Sequence, residues 1–166
     1  MNISKVSCIT INTDASFHPK HKVGGYAFYI ICDRYKIMKS GAFKKEPKSP
    51  LEAEMMCIGN ALHTVLYHKD HVESLYLIIN TDCKYAIDHI KKQLSPLGKD
   101  IYKIWYKVIV KVRSRKNEFR YVKAHSGVDD KRSKVNEWCD SEAKKWMRLS
   151  VQNKININIK NGAKNI

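Results

Sequence analysis

Val6-Ser7-Cys8-Ile9-Thr10-Ile11-Asn12-Thr13-Asp14 sets apolar residues at nearly every second place and then stops on a carboxylate. That spacing is the signature of a β-strand. Two more such runs follow at once, Gly25 to Cys32 and Tyr35 to Phe43, with Asp33-Arg34 as the tight turn between them. Three strands joined this closely form an antiparallel meander.

Outward from the meander the pattern changes period. Ser49-Pro50-Leu51-Glu52 reads as a helix start: a capping hydroxyl, proline at the first helical position and a glutamate that completes a capping box. The apolar stripe Leu51, Met55, Ile58, Leu62, Val65 and Leu66 carries that helix forward until the polar cluster His68 to His71. Leu75 to Ile79 is too short for a helix and runs into Asn80-Thr81-Asp82, so it predicts a buried strand entering a turn. A helix from about Cys83 to Gln93 should stop at Ser95-Pro96-Leu97-Gly98. The next, from Asp100 to about Val112, places Ile101, Ile104, Trp105, Val108 and Val112 on one side and Lys99, Lys103, Lys107 and Lys111 along another. A fifth strand, Phe119 to Ala124, a polar loop, His125 to Val135, and a last helix, roughly Asn136 to Met147, complete the order βββαβααβα. Residues 150–166 are rich in Asn and Lys with weak periodicity and are expected to form a loosely ordered tail, with a strand-like patch at Ile155 to Ile159, after a single domain spanning 1–149.

Composition narrows the partners. The 166 residues are 43% apolar and 28% charged, as in a globular soluble protein, and no apolar run approaches the roughly 20 residues of a membrane span. With no signal-peptide pattern at Met1 to Lys5, a cytoplasmic or nuclear location is expected, without an obligate protein partner and as a monomer. Cys8, Cys32, Cys57, Cys83 and Cys139 are scattered and form no CxxC pair, which argues against a disulfide framework and a zinc ribbon. The net charge of +15 attracts polyanions, nucleic acid first among them.

Four carboxylates stand where folding alone rarely puts them. Asp14 and Asp82 lie just past strand ends, Glu54 on the inward side of a helix, and Asp140 near the start of another. Singly, each has an ordinary reading: a turn opener, a helix cap, a boundary glutamate and a favourable charge in a first helical turn. Jointly they point elsewhere. If strands one and four are parallel neighbours, Asp14 and Asp82 sit side by side at the carboxyl end of the sheet, and the crossover between them carries Glu54 over the same end. Glu52 competes with Glu54, but at about 100° per residue Glu54 shares a flank with Ile58, Ala61 and Val65, whereas Glu52 already has a capping role. Like charges brought together out of water repel and lose hydration, and folds accept this where the acids hold a divalent cation.

Thr13-Asp14-Ala15-Ser16, Gly24-Gly25-Tyr26, Ala53-Glu54, Thr81-Asp82, Ala124-His125-Ser126-Gly127 and Asn136-Glu137-Trp138-Cys139-Asp140, in that order, resemble the type 1 ribonuclease H family over about Val6 to Trp146. The resemblance implies an α/β fold with a five-stranded mixed sheet flanked by helices. It implies a metal-dependent endonuclease that cuts the RNA strand of RNA/DNA hybrids, leaving 5′-phosphate and 3′-hydroxyl ends. Asp14, Glu54, Asp82 and Asp140 would bind two Mg²⁺ ions, with Mn²⁺ able to substitute, and Asp14 would bridge them. His125 would assist proton transfer or product release, as its near-neutral imidazole suits. For substrate contact the resemblance points to Ala15, Ser16, Lys20, Gly24, Gly25, Ser49 and Lys84. Polar amides that read the sugar in many members are replaced here by Pro50, Leu51 and Lys84, so backbone groups near Asp14 to Ser16 and Gly24-Gly25 are left for that task. The stretch between Asp82 and His125 is short, implying that a protruding basic handle is reduced or missing. Lys91, Lys92, Lys99, Lys103, Lys107, Arg113, Arg115 and Lys116 are then expected to attract the DNA strand. Two other readings share these residues: a DNA-directed nuclease of the same fold, such as a junction resolvase or transposase-like enzyme, and a non-catalytic nucleic-acid-binding module.

Overall fold

The structure is a computed structural model that describes residues 4–70, 72–123 and 131–163. Its elements run β1 (Ser4–His18), β2 (Val23–Ile31), β3 (Lys36–Ala42), α1 (Pro50–Leu66), β4 (Val72–Thr81), α2 (Lys84–Lys91), α3 (Pro96–Val112), β5 (Lys116–Tyr121) and α4 (Lys131–Ala163). The order is the one expected from sequence. The five strands form one sheet, β3-β2-β1-β4-β5, in which β1 pairs antiparallel with β2 and parallel with β4. β2 and β3 are antiparallel, β4 and β5 parallel, so the sheet is mixed as predicted.

Strand alternation divides the sheet into two faces. Phe28 and Ile30 of β2 enter the main core with Ile9, Ile11, Ile58, Leu62, Leu77, Ile79, Ile101 and Val108, beneath α1 and α3. Their neighbours Ala27 and Tyr29 turn the other way, onto Cys139 and Ala143 of α4. A helix on each face is what allows the central strands to be apolar on both sides.

α1 starts where the capping signals place it. Ser49 Oγ accepts from the backbone N–H of Glu52 at 3.1 Å, and Glu52 Oε2 accepts from the N–H of Lys48 at 3.1 Å. Glu52 is thereby committed to the helix end, leaving Glu54 for the sheet side. The other end of α1 is closed by a residue from the lysine-bearing side of α3. Lys111 Nζ donates to the carbonyls of Val65 (3.2 Å), Leu66 (2.8 Å) and His68 (2.8 Å), tying α3 to the carbonyl terminus of α1, where positive charge is favoured. Replacing Lys111 with Met should cost about 2 kcal/mol, measured as a shift of the urea midpoint at unchanged slope.

Four boundaries differ from expectation. β1 does not stop at Thr13: its parallel pairing with β4 ends at Asn12 and Asn80, but pairing with β2 continues from Asp14 opposite Ala27 to His18 opposite Val23. α3 begins at Pro96 rather than Asp100, because Ser95 Oγ caps it by accepting from the N–H of Gly98 at 3.1 Å. α4 is already helical at Lys131, which puts Asp140 in its third turn instead of its first. Most of the expected tail, residues 150–166, also proves helical. α4 continues through the supposed strand patch to Ala163, with no proline and no glycine before Gly162 to break it. Ser150 Oγ donates to the Trp146 carbonyl at 2.8 Å, and Lys154 Nζ reaches the His21 carbonyl (2.8 Å) and Glu46 Oε1 (2.6 Å), fastening the extension to the β1–β2 turn and the segment before α1.

Candidate active site

Asn12 and Asn80 face each other across the last parallel pairing of β1 and β4, with Asn80 Nδ2 donating to Asn12 Oδ1 at 2.8 Å in a buried setting. Two residues further along each strand path stand Asp14 and Asp82. The buried amide pair therefore fixes the point from which both acids project, and Thr13 Oγ1 adds a bond to the Asn80 carbonyl at 3.3 Å. Glu54 arrives from the first turns of α1. Carboxylate oxygens of Asp14, Glu54 and Asp82 all lie within 4.8 Å of one another.

This cluster is electrostatically costly. Burial, then the charges of Asp82 and Asp140, push Asp14 up to about 7, against an N–H bond from Ala15 and the positive charge of Lys144. Burial, reinforced by Asp14 and Asp82, holds Glu54 well above the usual carboxylate range. One Glu54 oxygen, Oε1, accepts from the Ala15 N–H at 3.2 Å, but Oε2 is buried without a hydrogen-bond partner among the described residues. A buried acceptor left unmatched is expensive, and it belongs to the one group of carboxylates able to share a cation among the described residues.

The donor set fits a hard divalent ion. Ligand oxygens on opposite sides of an octahedral Mg²⁺ stand about 4.2 Å apart, so small inward movements of these side chains would suffice. Among the described residues no histidine or cysteine belongs to the group, as suits Mg²⁺ or Mn²⁺ rather than zinc. Behind Asp14 the packing is tight. The Cys57 thiol donates to the carbonyls of Asp14 and Ala27, both at 3.3 Å, and Cys139 lies against Asn12 from the opposite face with a sulfur-to-oxygen distance of 3.9 Å. Burial raises the Cys139 thiol to about 12 and Cys57 well above its normal range, so both serve as small neutral fillers.

The other residues expected at the site separate. Asp140 is near enough to Asp14 to act on it but lies outside the group of three, its Oδ2 bonded to Lys144 Nζ at 2.7 Å. His125 lies outside the described residues. Ala15 and Ser16 continue β1 from Asp14, and Lys20 is exposed in the turn beyond His18. Ser49 is the α1 cap, and Lys84 opens α2 in an exposed position two residues after Asp82. Gly24 and Gly25 have a packing reason for their size: a Cβ on Gly24 would meet the Ser16 carbonyl at 2.8 Å, and one on Gly25 would strike the Ala143 carbonyl of α4 at 2.3 Å. Within the basic stretch, Lys92, Lys103 and Arg113 pair with Asp88, Asp100 and Glu73, and Lys116 lies over the Tyr76 ring. Lys91, Lys99 and Lys107 are exposed. Sequence reasoning missed Lys144, although its four-residue spacing from Asp140 signals a helical ion pair once a helix is assigned there.

The chain belongs to the RNase H family, whose model matches residues 7–148. No curated protein matches it by sequence. Among solved structures it is similar to the N-terminal RNase H domain of rv2228c from Mycobacterium tuberculosis, solved as a fusion with maltose-binding protein, at a TM-score of 0.61 and 12% identity. That match covers 89% of this chain and 98% of the other. At such low identity the likeness concerns the fold, and it agrees with the strand order described above. No described helix is long and apolar enough to cross a membrane.

Proposed function

We propose that this protein is a metal-dependent endonuclease that hydrolyses the RNA strand of RNA/DNA hybrids and leaves 5′-phosphate and 3′-hydroxyl ends. The observation that carries the reading is the cluster of Asp14, Glu54 and Asp82, with the buried Glu54 Oε2 unmatched, in a chain of the RNase H family. Asp14, Glu54 and Asp82 would hold one divalent ion, and Asp14 with Asp140 a second. Ions bound there supply Lewis-acid activation of water and stabilise the leaving 3′ oxygen. The chain's own part is to keep the acids in register from the Asn12–Asn80 pair, to present Glu54 over the sheet end, and to draw the polyanionic duplex in by its +15 charge. His125 is assigned the proton-carrying role, and Ser49, Lys20, Lys84 and the Ala15-Ser16 backbone the contacts to substrate phosphate and sugar. The catalytic unit is residues 1–149.

Purified protein should be incubated with Mg²⁺ or Mn²⁺ and labelled hybrid, duplex RNA, duplex DNA, branched DNA and single strands, with analysis of product ends. Cleavage confined to the RNA of the hybrid, yielding 5′-phosphate, is the expected result. Cutting of branched DNA alone would establish a DNA-directed nuclease instead, and metal-independent binding without product would establish a binding module.

A further inference from the structure

Among the described residues the carboxylates that meet are three, and the fourth expected acid is already occupied by a cation of the chain itself. Asp140 Oδ2 holds Lys144 Nζ at 2.7 Å, one helical turn further along α4. We propose that Lys144 is a built-in competitor of the second divalent ion, which has to displace its ammonium from Asp140 before the two-ion site is complete. This rests on the two-ion reading above and adds a competitor to it: the second ion enters against the Lys144 ammonium on Asp140.

Three observations support the assignment. Asp140 and Lys144 both act on Asp14, with opposite sign, so the ammonium lies within electrostatic reach of the shared ligand as well as on its partner. The neighbouring Lys145 is engaged elsewhere: it is bonded to Glu142 Oε1 at 3.1 Å, and Glu142 accepts in turn from Ser40, to which Trp146 also donates. Finally, the side chains of Asp140 and Lys144 are 29% and 45% exposed, so a displaced ammonium can swing into water without leaving a buried charge behind. Such an ion pair lends the metal-free protein local neutrality where Asp14, Glu54 and Asp82 already repel one another. It also gives cleavage a threshold in metal concentration set by the weaker site.

Calorimetric titration of Mn²⁺ into metal-free protein, without nucleic acid, tests this independently of turnover. Wild type should show a tighter and a weaker site. Lys144→Met should tighten the weaker one by about fivefold, as suits loss of a partly exposed ion pair, and change the tighter one by less than about twofold. Lys144→Arg, which keeps the charge, should retain the wild-type isotherm, and circular dichroism should show all three proteins folded alike. An unchanged or weakened second site in Lys144→Met overturns the inference, as does one ion in every variant or a Lys144→Arg isotherm like that of Lys144→Met. Two sites in wild type with no response to Lys144→Met would leave the metal reading standing, whereas no bound ion at all would remove both.

Discussion

Replacing Asp14 with Asn should reduce cleavage of an RNA/DNA hybrid by at least about 10³-fold while making the metal-free protein more stable, not less. Both effects have one cause. Asp14 is held up to about 7 by burial and by Asp82 and Asp140, whereas its ordinary value is 3.8. Between those values the folded chain binds a proton that the unfolded chain has released, so stability falls as pH rises through the window and the loss is complete above about pH 7. Glu54, shifted in the same direction, adds to it. Asparagine keeps the shape and carries no charge, so thermal unfolding in EDTA at pH 8 should show a midpoint several degrees above wild type, roughly 2 to 4 °C per kcal/mol recovered. At pH 4 to 5, where Asp14 is protonated in the folded chain, most of the gain should vanish. Added Mg²⁺ should raise the wild-type midpoint at pH 8 and leave that of Asp14→Asn nearly unmoved. Unfolding curves at the two pH values, with and without metal, check every part of this.

The second large effect is expected at Gly25. A Cβ there would lie 2.3 Å from the Ala143 carbonyl, 2.5 Å from the Met147 nitrogen and 2.7 Å from the Trp146 Cβ. Two of these are backbone atoms of a helix, and no rotamer change relieves such a contact, so α4 itself has to move. Gly25→Val should therefore cost at least about 3 kcal/mol, beyond the usual range for overpacking, and lower the melting midpoint by roughly 6 to 12 °C. Because α4 also carries Asp140 and Lys144, the surviving folded protein should bind a second divalent ion more weakly. Denaturant unfolding followed by metal titration of Gly25→Val measures both.

The sequence made the sheet legible because its strands are bounded by strong punctuation: Asp33-Arg34, Ser49-Pro50 and Asn80-Thr81-Asp82 each end one period and begin another. Helix geometry likewise separated Glu54 from Glu52, and the structure gives Glu52 to the α1 cap and Glu54 to the acid cluster. What stayed hidden depends on contacts between distant segments. Lys111 shares the lysine-bearing side of α3 with Lys99, Lys103 and Lys107, and nothing local reveals that the α1 carbonyls end within its reach. The sequence pattern places Asp14 just past the end of β1 because the apolar signal fades at Thr13, whereas the pairing partner β2 carries the strand to His18. The Asn- and Lys-rich end after Leu149 has weak intrinsic preference for any structure, and its helicity draws on an anchor 133 residues away in sequence, Lys154 on the His21 carbonyl. The pairing of Asp140 with Lys144, four residues apart within the expected helix Asn136 to Met147, was legible from spacing but is missed by a reading of the acids alone.

An anomalous difference map from a crystal soaked in Mn²⁺ bears most directly on the claim that separated acids of this chain share a cation. The account predicts a strong peak about 2.0 to 2.4 Å from oxygens of Asp14, Glu54 and Asp82 together, with Glu54 Oε2 among the ligands. A map with no peak between these three side chains, or with manganese bound only elsewhere on the surface, would contradict it.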